Sequence, residues 1–80
     1  MNTLRCTISS VDRVFFQGEV ESVQVPTSSG VQTILPHHEP LVSGTSKGTI
    51  RVMTEAGEQI FDIENGGVVE VLGSEVHILL

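Results

Sequence analysis

The chain has 80 residues, a formal net charge of −6 and 39% hydrophobic residues, which fit one small domain with a single core, residues 1–80. The negative charge argues against a nucleic-acid surface, because such surfaces need clustered lysine and arginine. Cys6 is the single cysteine and cannot form an internal disulfide. No apolar stretch approaches the ~20 residues of a membrane-spanning helix, and no signal-peptide pattern opens the chain. Composition therefore predicts a soluble, cytoplasmic protein.

The first quarter of the chain shows the alternation of half-buried β-strands. Leu4, Cys6 and Ile8 alternate with polar residues, which is the period of two expected for a strand with one buried face. A second run covers residues 11–17 and is predicted to end at Gly18. Residues 19–25 form a third run, in which Val20 falls out of phase with Val23 and Val25, as at a bulge or a two-sided pairing.

Residues 25–40 interrupt this alternation and hold all three prolines of the chain: Pro26, Pro36 and Pro40. Each proline fixes φ, removes a backbone donor and extends the preceding residue. The sequence therefore predicts a shaped, extended loop over residues 25–40. Ordered loops on a rigid scaffold commonly carry function, so this one is interpreted as a docking surface.

The second half of the chain predicts two hairpins. Residues 41–42 form a short apolar pair, and residues 43–48 are rich in turn formers. Two β-rich runs, 49–53 and 59–63, flank a loop that contains Gly57, and two more, 68–72 and 75–80, flank Gly73-Ser74, which suits a type II′ turn. No window has the apolar spacing of an amphipathic helix. The pattern as a whole is typical of an all-β sandwich or barrel.

Reactive side chains are few, and none is spaced for catalysis. His37, His38 and Glu39 are adjacent, so on an extended segment they point in opposite directions and do not converge on one metal ion. Cys6 lies on the apolar face of the first strand, where a buried thiol is usually inert. The residues therefore indicate an interaction module with no catalytic, cofactor or metal site.

Four stretches in order resemble the N-terminal β-sandwich of the F-type ATP synthase epsilon subunit. The first is the run Val14-Phe15-Phe16-Gln17-Gly18-Glu19-Val20, which leads into a valine-rich strand. The second extends from Gly30 through Ile34-Leu35-Pro36 and His38 to Pro40-Leu41. The third is Gly48-Thr49-Ile50-Arg51-Val52, and the fourth is Asn65-Gly66-Gly67-Val68-Val69-Glu70-Val71. Their common order and spacing over nearly the whole chain carry the resemblance. Two positions depart from it, because Thr33 and His37 stand where the family has glycine.

The resemblance implies a flattened β-sandwich of about ten short, mostly antiparallel strands. It also implies a non-catalytic subunit of the central stalk, the rotor of a proton-translocating ATP synthase, which couples the gamma subunit to the membrane c-ring. Such a subunit is monomeric in isolation and lies at the cytoplasmic face of a bacterial energy-transducing membrane, which it reaches only through the complex. The family's two-helix C-terminal segment, which restrains the enzyme and in some members binds ATP, has no counterpart in the 80 residues.

The same resemblance supplies the candidate contact residues. The ring-facing candidates are Ser28, Ser29, Val31, Gln32 and His38. The gamma-facing candidates are Leu41, Val42 and Ser43. Two other functions stay open on the residues alone. One is a free-standing β-sandwich that binds a ligand or protein through the proline-rich loop 26–40, and the other is an enzyme that uses Cys6 or His38.

Overall fold

A computed structural model describes residues 2–80, and β-strands are the only regular secondary structure in that range. There are nine strands: β1 (Leu4–Ser9), β2 (Val14–Val20), β3 (Ser22–Thr27), β4 (Gly30–Ile34), β5 (Leu41–Thr45), β6 (Gly48–Thr54), β7 (Gly57–Ile63), β8 (Gly67–Leu72) and β9 (Glu75–Leu79). The all-β prediction is confirmed. In the described residues no helix is long and apolar enough to cross a membrane.

The strands form one continuous sheet that folds over into two layers. Their order is β2-β1-β9-β8-β5-β3-β6-β7, with β4 paired to the other side of β3. We define the first layer as β2-β1-β9-β8-β5 and the second as β4-β3-β6-β7. A single pair, Thr27 with Thr45, joins the layers at the fold. All pairs are antiparallel except β1 with β9, which run parallel.

The core lies between the two layers and is almost entirely aliphatic. Alternate residues of the strands point inward, and fourteen hydrophobic side chains are at most 2% exposed. Leu4, Ile8 and Ile78 represent the first layer in this core, and Ile34 and Ile50 represent the second. At the open side, the rings of Phe16 and Phe61 meet edge to face with centroids 5.8 Å apart. These two aromatics therefore close the side opposite the fold, and the result is a flat body of 33 × 24 × 19 Å.

Three boundaries differ from the sequence prediction. Gly18 does not end a strand, because β2 runs through it and pairs it with Cys6. The out-of-phase Val20 is neither a bulge nor a doubly paired residue. It is the last residue of β2, and the chain turns at Glu21 into β3 of the other layer. Residues 43–45, predicted to lie in a turn, belong to β5, where Gly44 has an ordinary strand conformation opposite Val68.

The predicted loop over residues 25–40 is also wrong in part, since it contains a complete strand. Residues 30–34 are β4, which pairs with β3 from Val23 to Thr27. Pro26 does not prevent this pairing, because its carbonyl accepts a hydrogen bond from Ser46 N–H on the side away from β4. Pro26 and Val31 are therefore a non-hydrogen-bonded pair, so the missing proline N–H removes no hydrogen bond between β3 and β4. The irregular loop is limited to residues 35–40.

Candidate interaction surfaces

The β3–β4 hairpin presents Ser28 and Ser29 at a two-residue turn that is held from beneath. The Thr27 hydroxyl donates to the Gly30 carbonyl at 2.7 Å and accepts from Ser29 N–H at 3.1 Å. Thr27 is only 4% exposed, so the turn is fixed by a buried side chain. Gly30 has a φ of +110°, which a residue with a Cβ rarely adopts. Thr-x-x-Gly thus sets the direction of two exposed serines.

The β6–β7 hairpin repeats the same construction. The Thr54 hydroxyl donates to the Gly57 carbonyl at 2.9 Å and accepts from Ala56 N–H at 3.1 Å. Gly57 has a φ of +125°. Thr54 is more exposed than Thr27. The Thr-x-x-Gly at residues 27–30 was therefore a signal that could have predicted β4. The same pattern at residues 45–48 joins β5 to β6, which do not pair with each other, so the pattern is not specific to hairpins.

Two more ring-facing candidates lie on β4 but point to opposite faces. Val31 is on the outer face of the second layer and 67% exposed. Gln32 lies opposite the buried Val25, points to the inner side at the sheet margin and is half-buried. Val31 therefore shares the exposed end of the hairpin with Ser28 and Ser29. We call these three residues the hairpin tip.

His38 lies elsewhere, in the loop 35–40. This loop leads into Leu41 at one end of β5, whereas the hairpin tip adjoins Thr45 at the other end. Four residue steps along a strand separate these two ends by about 13 Å. The structure brings four of the five ring-facing candidates together on one hairpin and places His38 about a strand length away.

The loop 35–40 is ordered by its own backbone. His38 N–H donates to the Leu35 carbonyl at 3.1 Å, and its ring Nδ1 is 2.6 Å from the Glu39 carbonyl, so Nδ1 carries the proton. His37 has a φ of +68°, the left-handed region that favours glycine. The glycine-like backbone is thus retained at His37. Thr33 needs no such freedom, because it is an ordinary strand residue opposite Gln24.

The three gamma-facing candidates do not share one face, because they follow one another along β5. Leu41 and Ser43 lie opposite the buried Val71 and Val69, so they face inward and are half-buried. Val42 points outward and is 70% exposed. Of the three, Val42 alone offers an exposed apolar side chain.

Val42 belongs to an apolar patch that the sequence reasoning missed. Strand register places Val68 beside Leu79 on the outer face of the first layer, next to the row of Val42. Val68 is 45% exposed and Leu79 is 51% exposed, and all three side chains line one shallow groove. We call Val42, Val68 and Leu79 the Val42 face. The sequence signal for this patch was Val68 in β8 and Leu79 in β9. Both occupy outward-facing positions, at which a strand exposed to solvent would normally carry polar residues.

The side chains that the structure describes include a single, buried thiol and no group arranged for a metal ion. Cys6 is fully buried, and burial raises the pKa of its thiol to about 12, which keeps it in the unreactive neutral form. Across residues 2–80, no group of three or more histidine, cysteine, aspartate or glutamate side chains is placed to hold a metal ion. The two candidate interaction surfaces are therefore the hairpin tip and the Val42 face.

The family was identified by comparison with known proteins. Residues 3–80 match the model of the ATP synthase, Delta/Epsilon chain, beta-sandwich domain. The chain belongs to this family. It is 40% identical over 57 residues to the ATP synthase epsilon chain of Bartonella quintana (strain Toulouse), an alignment that covers 71% of the chain and 41% of that relative. The chain thus corresponds to less than half of this longer protein.

Two cryo-EM structures confirm the fold. One is the Euglena gracilis mitochondrial ATP synthase with OSCP, F1 and c-ring in rotational state 1, in which a chain matches with a TM-score of 0.89 and 24% identity over 99% of our chain and 51% of its own length. The other is the central stalk and c-ring of the Tetrahymena thermophila mitochondrial ATP synthase, with a TM-score of 0.78, 12% identity and coverages of 95% and 61%. At 24% and 12% identity, these matches show that the chain shares the fold of the two chains.

Proposed function

We propose that the chain is the β-sandwich of a non-catalytic central-stalk subunit in a proton-translocating F-type ATP synthase. Membership of the delta/epsilon family supports this, as does the likeness to chains in structures that contain a central stalk and c-ring. In this role the sandwich joins the gamma subunit to the c-ring, so that ring rotation reaches the catalytic head. It meets the cytoplasmic face of a bacterial membrane only through the complex.

The observation that carries the proposal is the pair of dissimilar surfaces on one rigid body. A subunit that transmits torque must hold two partners at once, and it needs stiffness more than reactivity. The hairpin tip carries two serines above the buried Thr27, together with the exposed Val31. The Val42 face exposes three apolar side chains beside Glu70 and His77. We assign the hairpin tip and Gln32 to the c-ring, because the resemblance to the epsilon subunit places the corresponding stretch toward the ring. We assign Val42 to gamma, because exposed apolar patches mark protein contacts.

Three candidate residues, His38, Leu41 and Ser43, are assigned less direct roles in these contacts. A ring contact by His38 as well as the hairpin tip requires a ring surface about 13 Å or more across, since a strand length separates them. Leu41 and Ser43 face inward, so they support Val42 from within the sheet more than they touch gamma.

Matched variants test the two surfaces separately. Ser29→Glu places a charge at the hairpin tip, and Ala56→Glu places the same charge at the equivalent position of the β6–β7 turn. We expect Ser29→Glu to weaken c-ring binding at least tenfold and Ala56→Glu to leave it unchanged. Val42→Lys, whose ammonium lies opposite Glu70 and so adds no like-charge repulsion, should weaken gamma binding by a similar factor, whereas Val11→Lys, at a residue 92% exposed on the β1–β2 connection, should not.

These binding measurements use purified gamma subunit and detergent-solubilised c-ring from the same organism. Melting temperatures of all four variants should stay close to that of the unmodified chain, because each substituted residue is exposed. A chain that binds neither partner at micromolar concentration would refute the proposal.

A second function has one observation in its favour. A groove of about 600 Å³ lies between the loop 35–40, residues 2–3 and the Gly73-Ser74 turn, with His37 and His38 on its wall. A free-standing module could bind a small polar ligand there. A rise in melting temperature with such a ligand, in the absence of any stalk partner, would favour this function over the first.

A further inference from the structure

One strand edge of the molecule carries unpaired backbone groups and no charge. Within residues 2–80, β4 pairs with β3 alone, so its other edge is free. Natural sheets usually protect such edges with charged side chains, proline or a covering segment. The edge of β4 has none of these, and it therefore differs from the other margins of this sheet.

The pairing register shows which backbone groups are free. Because Pro26 lacks an N–H and turns its carbonyl toward Ser46, the pair of Pro26 with Val31 is not hydrogen-bonded. Pairs alternate along an antiparallel ladder, so the pair of Gln24 with Thr33 is not hydrogen-bonded either. The N–H and C=O groups of Val31 and Thr33 therefore point away from β3. Four groups, two donors and two acceptors, face outward along one edge.

The side chains around this edge leave it accessible. Val31 is 67% exposed and Thr33 is also exposed, and both lie on the outer face of the second layer. Residues 28–36 contain no charged side chain. By contrast, the outermost strands β2 and β7 carry Glu19, Glu58 and Asp62. Edge protection by charge is thus present on those strands and missing on β4.

We propose that the free edge of β4 is a strand-addition site, which takes an extended segment of another protein with an uncharged, β-branched centre and basic flanks. Main-chain hydrogen bonds to Val31 and Thr33 would supply the affinity, as in other cases of β-augmentation. These bonds lie in the plane of the sheet, whereas the Val31 side chain assigned above to the c-ring projects from its face, so this site goes beyond the proposed function and does not rest on it. The uncharged centre follows from residues 28–36, and β-branched residues suit the cross-strand neighbours Val31 and Thr33. The basic flanks follow from the net charge of −6. The same charge disfavours a second copy of this chain as the occupant.

The test uses the whole chain and a synthetic probe, the acetylated and amidated peptide Lys-Thr-Val-Thr-Val-Thr-Lys. Amide hydrogen exchange, followed by NMR, should slow at Val31 and Thr33 when the peptide is added. A control peptide with every interior amide N-methylated keeps the side chains but removes the donors, and it should give no protection. Equal effects of both peptides, or shifts centred on the Val42 face, would overturn the proposal, because they would indicate side-chain adhesion.

Two variants of the chain complete the test. Thr33→Pro deletes an outward N–H without removing a bond to β3, so peptide affinity should fall at least tenfold while the fold is kept. If that variant proves unstable, Val31→Lys places a basic group on the exposed face, where it opposes the basic peptide and should weaken binding similarly. Undiminished binding in both would refute the site. Protection of the two amides by raising the protein concentration alone, with no effect of peptide, would assign the edge to a second copy and equally overturn the proposal.

Discussion

The hydroxyl of Thr27 provides the sharpest test of how the hairpin tip is held. Thr27→Val keeps the size and branching of the side chain but removes two hydrogen bonds, to the Gly30 carbonyl and from Ser29 N–H. A neutral hydrogen bond contributes about 1 kcal/mol net, so the loss should be about 2 kcal/mol. An 80-residue domain has about 4–12 kcal/mol in total, and the change is therefore large.

Thr54→Val is the matched control, because Thr54 makes the same two bonds in a more exposed turn. Water can replace part of what is lost there, so its cost should be about 1 kcal/mol. At 4–8 °C per kcal/mol, we expect the melting temperature to fall by about 8–16 °C for Thr27→Val and by about 4–8 °C for Thr54→Val. Calorimetry and urea denaturation measure both.

Thr27→Ser, which keeps the hydroxyl, should recover most of the lost stability. Amide exchange at Ser29 should accelerate in Thr27→Val and not in Thr54→Val, since the N–H loses its acceptor only in the first. Equal destabilisation by the two valine variants, or no loss in Thr27→Val, would show that the buried hydroxyl does not fix the turn.

Three further changes probe the close backbone approach, the strained loop and the buried thiol. A Cβ added at Gly67 would collide with the Leu79 carbonyl, so Gly67→Ala should destabilise by about 3 kcal/mol, whereas Gly44→Ala on the adjacent strand meets only an ordinary contact at 3.9 Å and should be near neutral. His37→Gly relieves a left-handed φ of +68° and should stabilise by about 0.5–1 kcal/mol. Burial raises the pKa of Cys6 to about 12, above the ordinary value of 9.0, so the folded state holds its proton longer than the unfolded state, and stability should decline as pH rises through 9. Denaturant midpoints measure the first two changes, and their dependence on pH measures the third.

Each of these three predictions has a result that would contradict it. Equal losses from Gly67→Ala and Gly44→Ala would contradict the close approach at Leu79. A destabilising His37→Gly would mean that the histidine ring contributes more than the strain costs. Cys6→Val should abolish the decline above pH 9, and an unchanged decline in that variant would assign it to another group.

The sequence was most informative where alternation was uninterrupted. Leu4, Cys6 and Ile8 predicted β1, and the Gly73-Ser74 pair predicted a hairpin that the structure forms with a Gly73 φ of +63°. Alternation works in these strands because one face is buried and the other is solvated. The layer to which each strand belongs, and the parallel pairing of β1 with β9, depend on contacts between distant residues and could not be predicted from local pattern.

The errors share a physical cause. Pro26 and Gly44 disfavour strands on average, yet each lies at a position where its particular defect has no effect. Pro26 needs no N–H because its pair with Val31 is not hydrogen-bonded, and Gly44 lies in an ordinary extended stretch. The candidate surfaces were predicted only as stretches of sequence. That Val42 joins Val68 and Leu79, and that His38 lies apart from Ser29, are consequences of the register.

The central claim is that one rigid sandwich holds two partners through two different surfaces. Photo-crosslinkers placed singly at Ser29 and at Val42 in the assembled ATP synthase test it most directly. We predict that the crosslinker at Ser29 attaches to the c-ring and that the one at Val42 attaches to the gamma subunit. Attachment of both to the same partner, or of neither to any stalk or ring subunit, would contradict the account.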